Sequence, residues 1–113
     1  MSDLTSPPAW SGVRVSTPAE HVAEVRWSRP PNNFFDATLI RDLADTYERL
    51  DDTVEDCRVI VLCAQGKNFC AGADLKALSK GENIGHPDRP KWGFAGYVRH
   101  FIDKPTIAAV NGT

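Results

Sequence analysis

The stretch Val59–Leu75, VIVLCAQGKNFCAGADL, decides the fold of this chain. It opens with a uniformly apolar run, Val59–Cys63, which predicts a central strand covered on both faces. A loop of mostly small residues, Asn68–Ala73, then leads into a helix that we expect to begin near Asp74. Gly72 can take backbone dihedrals closed to other residues, so a ligand can approach the backbone closely. Because a helix start has unpaired N–H groups, this pattern predicts a site for an anion or a developing oxyanion.

The segments before this stretch predict a hairpin and a helix that pack beside it. Val13–Val15 and the alternating segment His21–Trp27 predict two strands, and Ser28–Asn33 predicts a loop. Asp36 is a plausible N-cap for a helix over Ala37–Leu50. The apolar residues of that helix recur at helical spacing: Leu39, Ile40, Leu43, Ala44, Tyr47 and Leu50. The order of elements predicts an α/β fold of mostly parallel buried strands with covering helices.

The segments after this stretch predict a polar insert, a helix and a strand. Ser79–Lys91 contains two prolines and two glycines and is expected to be the least ordered internal segment. One helical face then carries apolar residues and predicts a helix against the core: Phe94, Tyr97, Val98, Phe101 and Ile102. Thr106–Val110 predicts another buried strand.

Three motifs in this order resemble the enoyl-CoA hydratase/isomerase (crotonase) family. Val59–Leu78 resembles its CoA-binding and oxyanion segment, and Lys104–Gly112 resembles its K-P-x-I-A-A-V-N-G strand. Arg29-Pro30, with Asn33–Asp36 and Leu39, resembles its arginine-proline and N-A-L-N/S segment. The resemblance implies a crotonase-like ββα-type core. It also implies that residues 13–113 are the N-terminal part of an acyl-CoA-binding domain, truncated at 113, after a flexible segment over residues 1–12.

The resemblance assigns the site to backbone and side-chain groups of one short segment. The backbone N–H of Ala73 becomes the first oxyanion donor, and the segment that binds the CoA thioester comprises Ala71, Gly72, Ala73, Asp74, Leu75 and Lys76. Asp74 either caps the helix or shapes the ligand loop, and Lys76 either faces solvent or meets a phosphate. Phe34 replaces a small alanine of the family pattern, which indicates a reshaped pocket. Coenzyme A enters as part of the substrate, and no separate cofactor is expected.

The function implied is an enzyme acting on acyl-CoA thioesters, of the enoyl-CoA hydratase/isomerase type used in fatty acid metabolism. By the family pattern, the second oxyanion donor and the catalytic acids lie beyond Thr113. The glutamates and histidines of this chain indicate neither a general base nor a metal site. The alternative is therefore a truncated, non-catalytic CoA-binding or subunit-interaction half-domain. Decarboxylases, dehalogenases and thioester hydrolases of the same family stay open, whereas a Rossmann domain is disfavoured because no G-x-G-x-x-G is present.

Composition and charge limit the partners. The net charge of −2 and the absence of a basic block give no indication of nucleic-acid binding. No apolar run is long enough to span a membrane, and the N-terminus has no signal pattern, so we expect no membrane partner and a cytoplasmic location. Cys57, Cys63 and Cys70 are expected to be reduced structural cysteines, with a nucleophilic Cys70 as the alternative. The resemblance implies that the parent protein forms homotrimers or hexamers.

Overall fold

The computed structural model describes residues 10–52, 56–82, 86 and 88–113. Within these ranges the chain forms six strands and two α-helices, with two short 3₁₀ turns late in the chain. The strands are β1 (Gly12–Ala19), β2 (Val22–Ser28), β3 (Phe34–Phe35), β4 (Val59–Ala64), β5 (Gly72–Ala73) and β6 (Thr106–Ala108). The helices are α1 (Ala37–Asp52) and α2 (Leu75–Ser79).

The main sheet has the strand order β1-β2-β4-β6, and β3 pairs with β5 in a small second sheet. β1 and β2 form the predicted antiparallel hairpin, and β4 runs parallel to β2 with Val25 opposite Leu62. β6 continues the parallel pairing beyond β4. The predicted α/β fold with mostly parallel strands is confirmed, and α1 is the helical crossover that parallel pairing of β2 and β4 requires.

Helix α1 covers one face of the sheet and contributes five of the buried residues of the core cluster. Asp36 caps it as predicted, because the Asp36 Oδ1 atom accepts the backbone N–H of Leu39 at 2.9 Å. The six residues predicted to face the core are all buried. They pack against the sheet in a cluster that includes Val25, Ile60 and Leu62. Since burying one large aliphatic side chain contributes about 1.5–3 kcal/mol, this contact accounts for much of the stability of the fold.

Trp27, at the end of β2, connects the main sheet to the segment after β4. Its ring packs edge-on against Phe35 and Phe69, with centroid distances of 5.7 and 4.8 Å. Its indole Nε1–H donates to the Phe69 carbonyl at 2.8 Å. A buried indole therefore has its polar group satisfied by the loop that leads to β5.

The predicted helix over Phe94–Ile102 is wrong. The chain forms 3₁₀ turns at Pro90–Trp92 and Phe94–Gly96, followed by an irregular turn. Ala95 has a φ of +61°, a left-handed conformation that an α-helix cannot contain. Phe94, Tyr97 and Ile102 still pack against the core, but Val98 and Phe101 are 66% and 80% exposed. Individual contacts, such as the stacking of Phe94 on Phe35, replace the continuous helical stripe.

The prediction that Thr106–Val110 is a buried strand is also wrong in part. The strand exists but ends at Ala108, and Ile107 and Val110 are 56% and 63% exposed. β6 is the last strand in the order of the main sheet, so its side chains are covered less than those of β4. An apolar run alone does not distinguish a central strand from an edge strand.

Parts of two predicted segments lie outside the described residues. These are residues 1–9 of the N-terminal segment and residues 83–85 and 87 of the polar insert. Within the N-terminal segment, β1 already begins at Gly12, and the Trp10 carbonyl accepts the Ser28 hydroxyl at 2.8 Å. In the described ranges, no helix combines the length and the apolar character needed to cross a membrane.

Candidate functional site

The segment Ala71–Asp74 is held in an extended conformation by the small second sheet. Ala71 donates its N–H to the Asn33 carbonyl at 3.2 Å, and Asp74 donates its N–H to the Phe35 carbonyl at 2.8 Å. Between them, Gly72 has a φ of +104°, which favours glycine. In this parallel pairing Phe35 lies opposite Ala73, and the Phe35 carbonyl accepts the N–H of the next residue, Asp74. The Ala73 N–H therefore takes no part in the ladder and is directed away from β3.

Asp74 is the N-cap of α2, which confirms the first of its two predicted roles. Its Oδ1 atom accepts the backbone N–H groups of Lys76 and Ala77 at 2.9 and 3.2 Å. Helix α2 has only five residues. Two of the N–H groups that the helix start offers to an anion are thus bound by the chain's own carboxylate.

Arg29 binds the other oxygen of the Asp74 carboxylate. Its Nη2 atom lies 2.7 Å from the Asp74 Oδ2 atom, and its Nε atom lies 3.4 Å from the Asp36 Oδ2 atom. Its Nη1–H also donates to the Phe34 carbonyl at 3.0 Å. The hydrogen bond from Arg29, followed by those from the α2 backbone, holds the pKa of Asp74 below its ordinary value. A carboxylate with a lowered pKa is a poor proton acceptor, and the contacts of Asp74 are those of a helix cap.

Asn33 is the buried centre of the loop contacts. Its Nδ2 group donates to the carbonyls of Gln65 and Asn68 at 2.8 and 2.7 Å. Its Oδ1 atom accepts the Arg29 N–H at 2.7 Å, and its own N–H donates to the Arg29 carbonyl at 2.9 Å. Asn33 is only 2% exposed and has a φ of +57°, which asparagine tolerates better than most residues. One side chain thus joins the turn that begins at Arg29 to the loop before β5.

The same loop is also fixed by the segment that follows β6. The Asn111 Nδ2 group donates to the Gly66 carbonyl at 2.6 Å. Gly112 approaches the Lys67 carbonyl so closely that there is no room for a β-carbon. The predicted V-N-G strand motif therefore has a structural role at the loop, where a side chain at residue 112 would displace the backbone.

An open cleft of about 520 Å³ lies beside the end of β5. Its lining comprises Ser11, Arg29, Pro30, Pro31, Phe34, Asp74, Leu75 and Lys76. The Leu75 side chain is 75% exposed and gives the cleft an apolar surface. Of the predicted site residues, Asp74, Leu75 and Lys76 line the cleft. Gly72 and Ala73 form β5, which comes directly before these residues, and Ala71 precedes the strand. Phe34, which departs from the family pattern, is one of its walls.

Outside the cleft, Cys63, Cys70 and His86 have surroundings that suit a structural role rather than catalysis. Burial raises the pKa of Cys63 to about 11 and also raises the pKa of Cys70, so neither thiol is activated as a nucleophile. His86 is buried and binds the Asp45 carboxylate at 2.8 Å. Among the described residues, no three histidine, cysteine or acidic side chains come together as metal ligands.

The family follows from comparison with known proteins. A family model described as enoyl-CoA hydratase/isomerase matches residues 17–113. The chain belongs to this family. A carnitinyl-CoA dehydratase of Proteus mirabilis is 38% identical over 93 residues, which are 80% of this chain and 35% of that protein. A mevalonyl-coenzyme A hydratase of Beauveria bassiana is 37% identical over 122 residues, covering 99% of this chain and 43% of that protein.

Solved structures agree with the fold. The structure of a carnitinyl-CoA dehydratase from Mycobacterium avium matches with a TM-score of 0.81 and 46% identity. The match covers 91% of this chain and 40% of that chain. The chain thus spans about two fifths of the length of its relatives, and the predicted crotonase-like fold is confirmed for the part that it contains.

Arg29 and Asn33 entered the sequence analysis only as motif positions, and the contacts give them a role at the site. The sequence itself contains a signal for this role of Arg29 and Asn33. A loop with two prolines and two asparagines, placed before a two-residue aromatic strand, requires donors and acceptors to fix its backbone. What the sequence does not reveal is the identity of the distant partners, Gln65, Asn68, Ala71 and Asp74, which lie 32 to 45 positions later in the chain.

Proposed function

We propose that this chain forms the acyl-CoA-binding part of an enoyl-CoA hydratase/isomerase-type enzyme, in which the Ala73 N–H donates to the thioester oxygen. The observation that carries the proposal is the geometry of β5. The Asp74 N–H is bonded to Phe35, which directs the neighbouring N–H of Ala73 away from the ladder. The segment enters a cleft with an exposed apolar side chain, Leu75, and a cationic one, Lys76.

The chemistry needs such a donor. Adding water to a 2-enoyl thioester, or moving its double bond, builds negative charge on the thioester oxygen. A fixed backbone N–H stabilises that charge without rearranging, and one donor of this kind lowers a barrier by about 3 kcal/mol. The small side chain of Ala73 leaves room for the thioester.

Proton transfer is not assigned to the described residues of the cleft. Arg29 and two backbone N–H groups hold Asp74 in its charged form, so it accepts a proton poorly. The proposal for this chain is therefore substrate binding and charge stabilisation. The alternative, a CoA-binding or subunit-interaction half-domain without turnover, has the same binding site and differs only in activity.

Titration calorimetry with acetyl-CoA and with CoA tests the site. We expect Ala73→Pro, which removes the N–H, to abolish the difference in affinity between acetyl-CoA and CoA. Ala73→Gly keeps the N–H and is the matched control. If the wild-type chain binds neither compound, or if the proline and glycine variants bind acetyl-CoA equally well, the assignment of Ala73 is wrong.

The family resemblance also leads us to propose a trimeric or hexameric assembly located in the cytoplasm. Exposed apolar side chains late in the chain support an assembly, because solvent-facing positions of this kind are typical of surfaces that protein covers: Val98, Phe101, Ile107 and Val110. Sedimentation equilibrium measures the assembly directly, and a monomer at every concentration would contradict it for this chain.

A further inference from the structure

The contacts of Arg29 place it between two helix starts. Its guanidinium reaches the Asp74 carboxylate at 2.7 Å, the Asp36 carboxylate at 3.4 Å and the Phe34 carbonyl at 3.0 Å. Asp36 caps α1 and Asp74 caps α2. A planar guanidinium can satisfy three acceptors in fixed directions, which a lysine ammonium does less well. Arg29 therefore fixes where α2 begins relative to α1 and β3.

The turn that starts at Arg29 holds the other end of β5. Its last residue, Asn33, accepts the Ala71 N–H on its carbonyl. Asn33 also binds the loop before Ala71 through its side chain. Residues on both flanks of Ala73 are thus attached to one five-residue turn, Arg29–Asn33, which is closed by two hydrogen bonds between its first and last residues.

We propose that Arg29 is a positioning residue for the Ala73 N–H, acting through its ion pair with Asp74. This inference rests on the proposed function and adds the residue that orients its donor. Ala73 has no polar side chain with which to fix its own amide. The Ala73 N–H lies in the peptide plane that joins Gly72 to Ala73, and the next plane, between Ala73 and Asp74, is held at Asp74. Loss of the Arg29 contact removes the side-chain link of Asp74 to the turn while its N–H stays bonded to Phe35, and the Ala73 N–H then samples a wider range of directions, some of which do not face a thioester.

Amide resonances of the ¹⁵N-labelled chain test the inference in Arg29→Met. In the wild type, we expect the Ala73 N–H resonance to move further on addition of acetyl-CoA than on addition of CoA, and this difference is the thioester-dependent shift. In Arg29→Met, we expect this thioester-dependent shift to fall to less than about half, because the donor is no longer aligned. Arg29→Lys keeps a cation with fewer directed contacts, and we expect it to retain part of the shift.

Hydrogen exchange without ligand separates local positioning from overall stability. We expect Arg29→Met to speed exchange of the Asp74 N–H about tenfold relative to the Gln65 N–H, which donates to the Trp27 carbonyl in the main sheet. Arg41→Met is the matched control, because Arg41 lies on α1 with its Nε atom 4.0 Å from the Asp42 carboxylate. This control is expected to leave both amides and the Ala73 shift unchanged.

The outcomes distinguish failure of the proposed function from failure of the positioning role of Arg29. If wild-type Ala73 does not respond to acetyl-CoA, the proposed function fails and the inference fails with it. If Ala73 responds in the wild type and equally in Arg29→Met, the proposed function stands and the role of Arg29 is refuted. Equal acceleration of exchange at Asp74 and Gln65 would likewise refute it, since Arg29 would then contribute only to overall stability.

Discussion

Replacing Asn33 with alanine tests the central contact of the site. The change removes an amide that is 2% exposed and that donates to the Gln65 and Asn68 carbonyls. Each carbonyl left unpaired in the interior costs about 1–3 kcal/mol. Alanine at a φ of +57° costs roughly 1 kcal/mol more. The sum, about 3–7 kcal/mol, is a large part of the 5–15 kcal/mol by which a typical domain is stable.

Asn33→Gly separates the cost of the lost hydrogen bonds from the cost of the left-handed backbone. Glycine loses the same hydrogen bonds but adopts a positive φ without strain. It also has more conformational entropy in the unfolded chain, which offsets part of that advantage. We therefore expect Asn33→Gly to be more stable than Asn33→Ala by about 0.5–1 kcal/mol, while both are far less stable than the wild type.

Urea unfolding followed by far-UV circular dichroism and tryptophan fluorescence measures both differences. Trp27 is a useful probe because its indole binds the Phe69 carbonyl in the same loop. If Asn33→Ala lies within about 0.5 kcal/mol of the wild type, the amide does not hold the loop and the reasoning is refuted. If alanine is as stable as glycine at this position, the left-handed backbone is wrong, although the hydrogen bonds can still be right.

Three further predictions concern charge, exposure and thiol chemistry. The folded pKa of Asp74 lies below the ordinary value of 3.8, so its stabilising contribution is present above that pH and is lost as the pH falls through the folded pKa. Urea unfolding between pH 5 and 2 (roughly the range in which aspartate titrates) should therefore show a smaller loss of unfolding free energy in Asp74→Asn than in the wild type. Phe101→Ser should change the free energy of unfolding by less than about 0.5 kcal/mol, whereas Leu43→Ala in the core should cost about 2–5 kcal/mol. Cys63, with a raised pKa of about 11, should react with iodoacetamide at pH 8 (about the pKa of a free thiol) only after unfolding, which mass spectrometry of the alkylated chain detects.

The sequence was sufficient where a regular period repeats over a long segment. The six buried positions of α1 recur at helical spacing, and Asp36 stands where a cap is needed, so both the helix and its core face were predictable. β4 was predictable because five apolar residues in a row suit a strand that is paired on both edges. In these elements local preference and tertiary packing agree.

The sequence was misleading where tertiary contacts override the local pattern. Phe94, Tyr97 and Phe101 have helical spacing, yet Ala95 adopts a left-handed conformation between two glycines. Each glycine costs about 1 kcal/mol relative to alanine inside a helix. Stacking of Phe94 on Phe35 and a hydrogen bond between the Tyr97 and Thr106 hydroxyls stabilise the irregular path instead. These partners are known only once the fold is known.

The sequence indicates where a candidate site would lie but not which contacts hold it. Small residues at Ala71, Gly72 and Ala73 indicate close approach to a ligand, and this inference needs no other part of the chain. The two-residue strands β3 and β5 are too short to give a periodic signal. Their pairing was therefore invisible in the sequence, although it is what turns the Ala73 N–H away from the sheet.

The proposed donor, the Ala73 N–H, belongs to the backbone, and this has a consequence for mutagenesis. Substituting Ala73 with glycine leaves its N–H in place, so a scan of side chains would record residue 73 as silent. The same scan would record large effects at Arg29 and Asn33, because their side chains hold the peptide planes around it. Side-chain scanning therefore identifies the residues that hold the backbone of such a site in place, and not the backbone donor itself. The donor is found only by removing the N–H, as in Ala73→Pro, or by observing its resonance when a thioester binds.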